Sequence, residues 1–289
     1  MTLKPTALEE VRISSRYSLY GKLRVVAPES SMVLLLPGLG FHSFEYDELA
    51  SRLSDAGYSS LSLDYRGHGR SEGPRGRWVV EDLIEDASRA LDFLVGRDAP
   101  RIGVFGNSLG AFVGMHLAAR DARVRSLVAS GCPARVADFA STSFRRALLA
   151  ALLACEHIVP FRVSINHFIP YRMILRDPEI IAKVRADPLI ADARRFAPST
   201  YQDIFGWDAM AAVAKLTIPL LVLYGEFDSF QPAEQSQLLY QAARCEKQLS
   251  SVPTGHVPDL ENAPLVAPVL IEWFGRTLAR GVSPSRSSR

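Results

Sequence analysis

The run Gly106-Asn107-Ser108-Leu109-Gly110 joins a short apolar segment, residues 102–105, to a stretch of helical spacing, residues 109–120. A serine at such a junction sits on a very tight turn, and a glycine two places to either side leaves room for it. The turn lifts the hydroxyl to the carboxyl end of a sheet, at the N-terminus of a helix whose dipole favours developing negative charge. That is the setting of a nucleophile for acyl transfer. The same G-x-S-x-G string occurs at Gly69-Arg70-Ser71-Glu72-Gly73, but there it follows a turn, and Pro74 and Gly76 stand where a helix would begin. Ser71 reads as a structural loop serine and Ser108 as the nucleophile.

A serine hydroxyl needs a base to take its proton. Of the six histidines, His157 and His167 lie in a long insertion, His116 is inside the helix after Ser108, and His68 belongs to a turn. His42 stands just after a glycine-rich loop, near the site but not as its base. His256, in Pro253-Thr254-Gly255-His256, lies between the last strand and the last helix, at the sheet edge expected for Ser108. An acid should orient that imidazole, and Asp228 follows the buried strand-like run Leu220-Leu221-Val222-Leu223-Tyr224 in the loop at its carboxyl end. Glu226 is its nearest rival, with Asp259 and Glu261 more distant ones; a helix N-cap is the plain structural role for Asp228. Two backbone N–H groups must also meet the tetrahedral oxyanion. One is Leu109, directly after the nucleophile. The other comes from Gly38-Leu39-Gly40, with Leu39 preferred over either glycine.

Around these residues the chain alternates short apolar runs with amphipathic stretches. Strands are predicted at 11–26 (one or two, as a hairpin), 32–36, 60–63, 102–105, 124–129, 218–224 and 247–252. Helices are predicted at 46–56, 78–95, 109–120, 232–243 and 264–279. This rhythm predicts an α/β fold, a mainly parallel sheet flanked by helices, because parallel neighbours need crossover helices. The rhythm stops near Pro133. Residues 134–207 are helix-like, rich in arginine and aromatics and punctuated by prolines, with no clear strand. The expected organisation is a core of 1–133 and 208–280, a helical cap insertion at 134–207 and a disordered tail at 281–289. Expected substrate contacts are Phe41 and His42 beside the glycine-rich loop and Leu149, Leu153 and Phe168 from the insertion.

A resemblance accompanies these residues. Pro37-Gly38-Leu39-Gly40-Phe41-His42-Ser43, Tyr46-Asp47-Glu48-Leu49-Ala50 and Asp64-Tyr65-Arg66-Gly67-His68-Gly69-Arg70-Ser71-Glu72-Gly73-Pro74-Arg75-Gly76, followed by the Ser108 turn, Asp228 and His256, resemble the monoacylglycerol lipase and lysophospholipase branch of the α/β-hydrolases. The likeness spans 20–133 and 208–275. It implies the α/β-hydrolase fold with a helical cap, ester hydrolysis through a Ser108–Asp228–His256 triad, and oxyanion amides at Leu39 and Leu109. Asp177-Pro178-Glu179 and Asp187-Pro188-Leu189 also resemble cap motifs of that branch. The chain departs from it at Pro37, where the branch usually has histidine, at Phe41 in place of glutamate, and at Asn107 in place of glutamate or histidine.

With 289 residues, 48% of them hydrophobic and 22% charged, the composition is that of a soluble globular protein that needs no metal or disulfide staple. A net charge of +2 does not argue for nucleic acid, and the three cysteines have no metal-ligand spacing. No nucleotide or flavin fingerprint is present, so no cofactor is expected. With no secretory signal in view and unpaired cysteines, the expected address is cytoplasmic. The expected partner is a small acyl ester or lipid. The run from Phe144 to Leu153 favours a cap helix covering the pocket over interfacial membrane contact, although the two are compatible. A thioesterase or acyltransferase would use the same triad, as would a haloperoxidase-like or C–C bond hydrolase. A dehalogenase or epoxide hydrolase would need a carboxylate at position 108. A ligand receptor on a hydrolase scaffold is the non-enzymatic alternative.

Overall fold

The computed structural model describes residues 8–136 and 143–278, with the side chains of 143–145 left out. The expected tail 281–289 lies outside the described residues.

Eight strands form one sheet: β1 (Leu8–Ser14), β2 (Ser18–Arg24), β3 (Met32–Leu36), β4 (Ser59–Leu63), β5 (Ile102–Asn107), β6 (Val124–Ser130), and, after the short pair β7 (Val163–Ser164) and β8 (Arg195–Phe196), β9 (Leu220–Gly225) and β10 (Lys247–Val252). Their order is β1-β2-β4-β3-β5-β6-β9-β10. The expected hairpin is β1–β2, and β2 joins β4 antiparallel; every later pairing in this sheet is parallel.

β3 reads as an unbroken apolar run because both faces of the sheet are covered. Leu34 and Leu36 pack on one side with Leu83, Ala87 and Leu91 of helix Val80–Val95 and with helix Leu109–Ala118. Val33 and Leu35 point to the other side, against Leu49 and Leu53 of helix Asp47–Asp55 and Leu270 and Phe274 of helix Ala263–Leu278. Alternation along one strand thus feeds two cores.

The chain runs from β3 to β4 in one direction and then crosses back to β5 on the other side of β3. Such a reversal opens a crevice at the carboxyl ends of β3 and β5, the usual place for a ligand in an α/β sheet.

Between β6 and β9 stand helices Ser143–Ile158, Tyr171–Ile174, Pro178–Ala186, Pro188–Ala193 and Pro198–Phe205. Three of the prolines that punctuate this region open helices at their first turn, where a missing N–H costs nothing. Asp177 and Asp187 cap two of them, accepting from the N–H of Glu179 (2.8 Å) and Leu189 (2.8 Å). The sequence offered no strand here, yet β7 and β8 pair antiparallel. Two residues are too short to show a period. Phe41 and Val257, from the loops after β3 and β10, share a core with Tyr171, Ile174, Val184 and Ile190, which seats this region on the carboxyl edge of the sheet.

Candidate active site

The glycines of the Ser108 turn are required by contact. A Cβ on Gly106 would stand 2.3 Å from the carbonyl carbon of Gly110, and one on Gly110 would stand 1.8 Å from the carbonyl oxygen of Leu36. Helix Leu109–Ala118 can therefore start directly against β3 and β5. Ser108 takes φ 53° and ψ −111°, a region non-glycine residues rarely enter and one that costs about 1–3 kcal/mol. The conformation is held by the Ser108 N–H, which donates to Ser130 of the neighbouring strand at 2.8 Å.

Asp228 divides its carboxylate between two tasks. Oδ1 accepts from the N–H groups of Phe230 and Gln231, both at 2.8 Å, while Oδ2 meets His256 Nδ1 at 2.7 Å. The helix-cap-like role and the imidazole-orienting role are thus carried by one residue. With Nδ1 held by the carboxylate, Nε2 is the ring nitrogen left to exchange a proton. The pair is buried, and the Phe230 ring meets the imidazole edge-on with centroids 4.9 Å apart.

The rival acids are occupied elsewhere. Glu226 accepts from Ser251 Oγ at 2.8 Å. Glu261 accepts from the N–H of Gly255 at 2.6 Å and from the N–H of Arg176, bracing the loop that carries His256. Asp259 is buried in the same region as Glu45.

In the glycine-rich loop after β3, the N–H of Gly38 is committed to Glu45 Oε2 at 2.9 Å and that of Phe41 to the carbonyl of Gly38 at 3.1 Å. The Gly38 amide is thus engaged, while Leu39, the donor preferred from the sequence, lines the cavity that Ser108 also lines. Leu109 stands at the first position of its helix, where an N–H has no intrahelical acceptor. Leu39, Ser108, Leu109 and His256 all line one cavity of about 680 Å³, within the range of small-molecule sites. Its remaining wall is largely apolar and includes Phe41, Phe112, Leu149, Phe168, Ile204 and Trp207.

Two expected substrate contacts are placed otherwise. His42 does not line the cavity: its Nε2 meets Asp187 Oδ2 at 3.0 Å, tying the glycine-rich loop to the start of helix Pro188–Ala193. Leu153 lies one turn beyond Leu149, where the helix faces Arg77 and Ser199 across a separate cleft. Ile158, at the end of the same helix, is 82% exposed. Ser71 is structural: its Oγ donates to the Asp64 carbonyl at 2.6 Å and accepts from the Tyr20 N–H at 2.8 Å. The neighbouring Arg66, 2% exposed, is ringed by Asp82, Glu85 and Asp86, which accounts for the arginine of that turn.

Two groups escaped the sequence reading. Glu45, 2% exposed, sits beneath the site with Gly38 N–H on one oxygen and Asn107 Nδ2 at 3.5 Å on the other, so it joins the residue before Leu39 to the residue before Ser108. Burial and the neighbouring Asp259 charge hold its carboxyl well above the usual range, and burial pushes Asp259 up to about 7. The second is Arg194, which lines the cavity while almost wholly buried. An acidic residue beside a helix start and one arginine among many carry no local signal of burial.

A family model described as serine aminopeptidase, S33, matches residues 27–256. The monoacylglycerol lipase of Mycolicibacterium smegmatis is 29% identical over 251 residues, 84% of this chain and 87% of that protein. The pimeloyl-[acyl-carrier protein] methyl ester esterase of Neisseria meningitidis is 28% identical over 273 residues, covering 88% and 82%. Among solved structures, the monoacylglycerol lipase of Paleococcus ferrophilus superposes with a TM-score of 0.71 at 24% identity, over 94% of this chain and 99% of that one.

Proposed function

Given that the chain belongs to the serine aminopeptidase S33 family and is an α/β-hydrolase of the monoacylglycerol lipase-like branch, we propose that it cleaves acyl esters through an acyl-enzyme on Ser108. That it is a carboxylic ester hydrolase follows from its relatives, which are lipases and esterases. The observation that supports the mechanism is that Ser108, Leu39, Leu109 and His256, the last held by Asp228, line one apolar cavity.

In this reading His256 Nε2 takes the Ser108 proton as Oγ attacks the ester carbonyl. Asp228 fixes the ring and stabilises the imidazolium without itself accepting the proton. Leu39 and Leu109 donate to the oxyanion, and the imidazolium returns the proton to the leaving alcohol. Water then repeats the cycle to release the acid. Residues 134–207 act as a cap over the core of 1–133 and 208–280, presenting Leu149 and Phe168 to the acyl chain and shielding the acyl-enzyme from bulk water. Monoacylglycerol- or lysophospholipid-like esters are the proposed substrates. The three unpaired cysteines, one of them buried, support a reducing, cytoplasmic setting.

The test is a purified-protein screen of p-nitrophenyl esters, monoacylglycerols, lysophospholipids and acyl-CoA thioesters, with the acyl-Ser108 adduct sought by mass spectrometry. Turnover of esters with acyl mass on the Ser108 peptide is expected. Adduct on another residue, or turnover confined to thioesters, refutes the proposal.

A further inference from the structure

Among the described residues, Arg194 is a buried charge without a counter-charge. Its side chain is 2% exposed, as is that of Arg66, but Arg66 has three carboxylates around it. The acceptors of Arg194 are neutral: Nε donates to Asn166 Oδ1 at 2.8 Å, Nη1 to the Leu39 carbonyl at 3.4 Å and Nη2 to the Ile169 carbonyl at 3.0 Å. The guanidinium lies over Tyr171, 4.6 Å from the ring centroid. The acids nearest in sequence are engaged by other bases, Asp187 by His42 and Asp192 by Arg75 and Arg162. Burial pulls the pKa of Arg194 down only to about 10, so it stays charged at neutral pH.

A desolvated charge is costly unless paired, and Arg194 lines the same cavity as Ser108. A guanidinium has five N–H groups. Three are used among the described residues, which leaves one on each terminal nitrogen, two donors that suit the two oxygens of an anion. The position is built in by Gly40, where a Cβ would come 2.4 Å from Arg194 Cγ. Nη1 sits 3.4 Å from the Leu39 carbonyl oxygen. By standard bond lengths that puts it within about 8 Å of the Leu39 amide nitrogen.

We propose that Arg194 is an anion subsite of the active-site cavity, and that the favoured substrate is an ester carrying a monoanionic oxygen group, carboxylate or phosphodiester, a few bonds from the scissile carbonyl. This rests on the ester-hydrolase reading above. The apolar wall then holds the rest of the acyl chain, and the substrate anion supplies the charge that Arg194 lacks.

The experiment uses matched pairs on the full-length protein. One arm compares monomethyl esters of dicarboxylic acids with the methyl esters of the corresponding primary amides. The other compares a lysophosphatidylglycerol with a monoacylglycerol of the same chain. Expected is a preference in kcat/KM of about tenfold or more for the anionic member of at least one pair, as befits a desolvated charge-assisted contact, and the favoured arm identifies the anion. In Arg194→Gln that ratio should collapse toward one. A purely structural role would lower both members alike and leave the ratio standing, which overturns the proposal, as does a wild type indifferent to charge in both pairs.

Should Arg194→Gln fail to fold, ligand binding to the wild type decides. A dicarboxylic acid monoamide should raise Tm and compete with substrate at lower concentration than the diamide, with an advantage that shrinks as salt rises. Equal binding of the two overturns the subsite. Labelling of the wild type by a neutral fluorophosphonate separately reports whether the serine hydrolase reading holds.

Discussion

Replacing Asp228 by asparagine tests the active-site geometry most sharply, because the two oxygens of that carboxylate do different work. The amide oxygen of asparagine can keep both backbone bonds, to Phe230 and Gln231. Its NH₂ group must then face His256 Nδ1, 2.7 Å away in the wild type, and a donor there forces Nδ1 to accept. The ring proton moves to Nε2, the nitrogen that should take the Ser108 proton, and no negative partner charge remains to stabilise the imidazolium. The expected loss in kcat is on the order of 10³–10⁴, or about 4–5.5 kcal/mol of transition-state stabilisation. Stability should fall by less than about 1 kcal/mol, because the backbone bonds survive. Asp228→Ala loses those bonds too and should cost an additional ~1–2 kcal/mol of stability, several degrees in Tm at most. The assay is kcat on a p-nitrophenyl ester beside thermal unfolding of both variants. An Asp228→Asn protein within tenfold of wild type, or a Glu226→Gln protein more impaired than it, refutes the assignment of Asp228.

Ser108→Ala should abolish fluorophosphonate labelling and ester turnover. Ser71→Ala should keep labelling but lose about 1–3 kcal/mol, since it strands the buried Tyr20 N–H; labelling lost only in the Ser71 variant reverses the two roles. The raised carboxyls of Glu45 and Asp259 bind protons in the folded state that the unfolded chain has released, so they make stability fall as pH rises from about 4 toward and past 7. Asp259→Asn should flatten that decline, read as the difference in Tm between the two proteins across pH 5–9, and a constant difference contradicts it. Acyl esters longer than acetate should be preferred, each buried methylene adding up to ~0.8 kcal/mol, with more than about tenfold gained from acetyl to octanoyl. Leu149→Trp, which fills part of the cavity, should shorten the optimum; a wild type fastest on acetyl esters defeats this.

What the sequence determined by itself was the local chemistry. Short apolar runs and period-3.6 patterns placed the sheet strands and their helices to within a few residues. The strand, turn and helix around Ser108 are contiguous, so the candidate nucleophile could be told from its copy at Ser71 by neighbours alone. The candidate acid and base were legible for a related reason: each follows a predicted strand within four residues, and the ends of parallel strands lie along one edge of the sheet. The tertiary structure decided everything that depends on which distant side chains meet. Asp228 serves two masters because the 228–231 loop and the 253–256 loop close on each other. Leu149 enters the cavity and Leu153 leaves it, although both sit on one helical face by spacing. Glu45 and Arg194 are charged residues that composition assigns to the surface, and only the packing of the loop after β3 against β5 and the 134–207 region buries them. Periodicity records which face of an element is apolar, but a buried charge is created by long-range contact, so one chain read in order carries no mark of it.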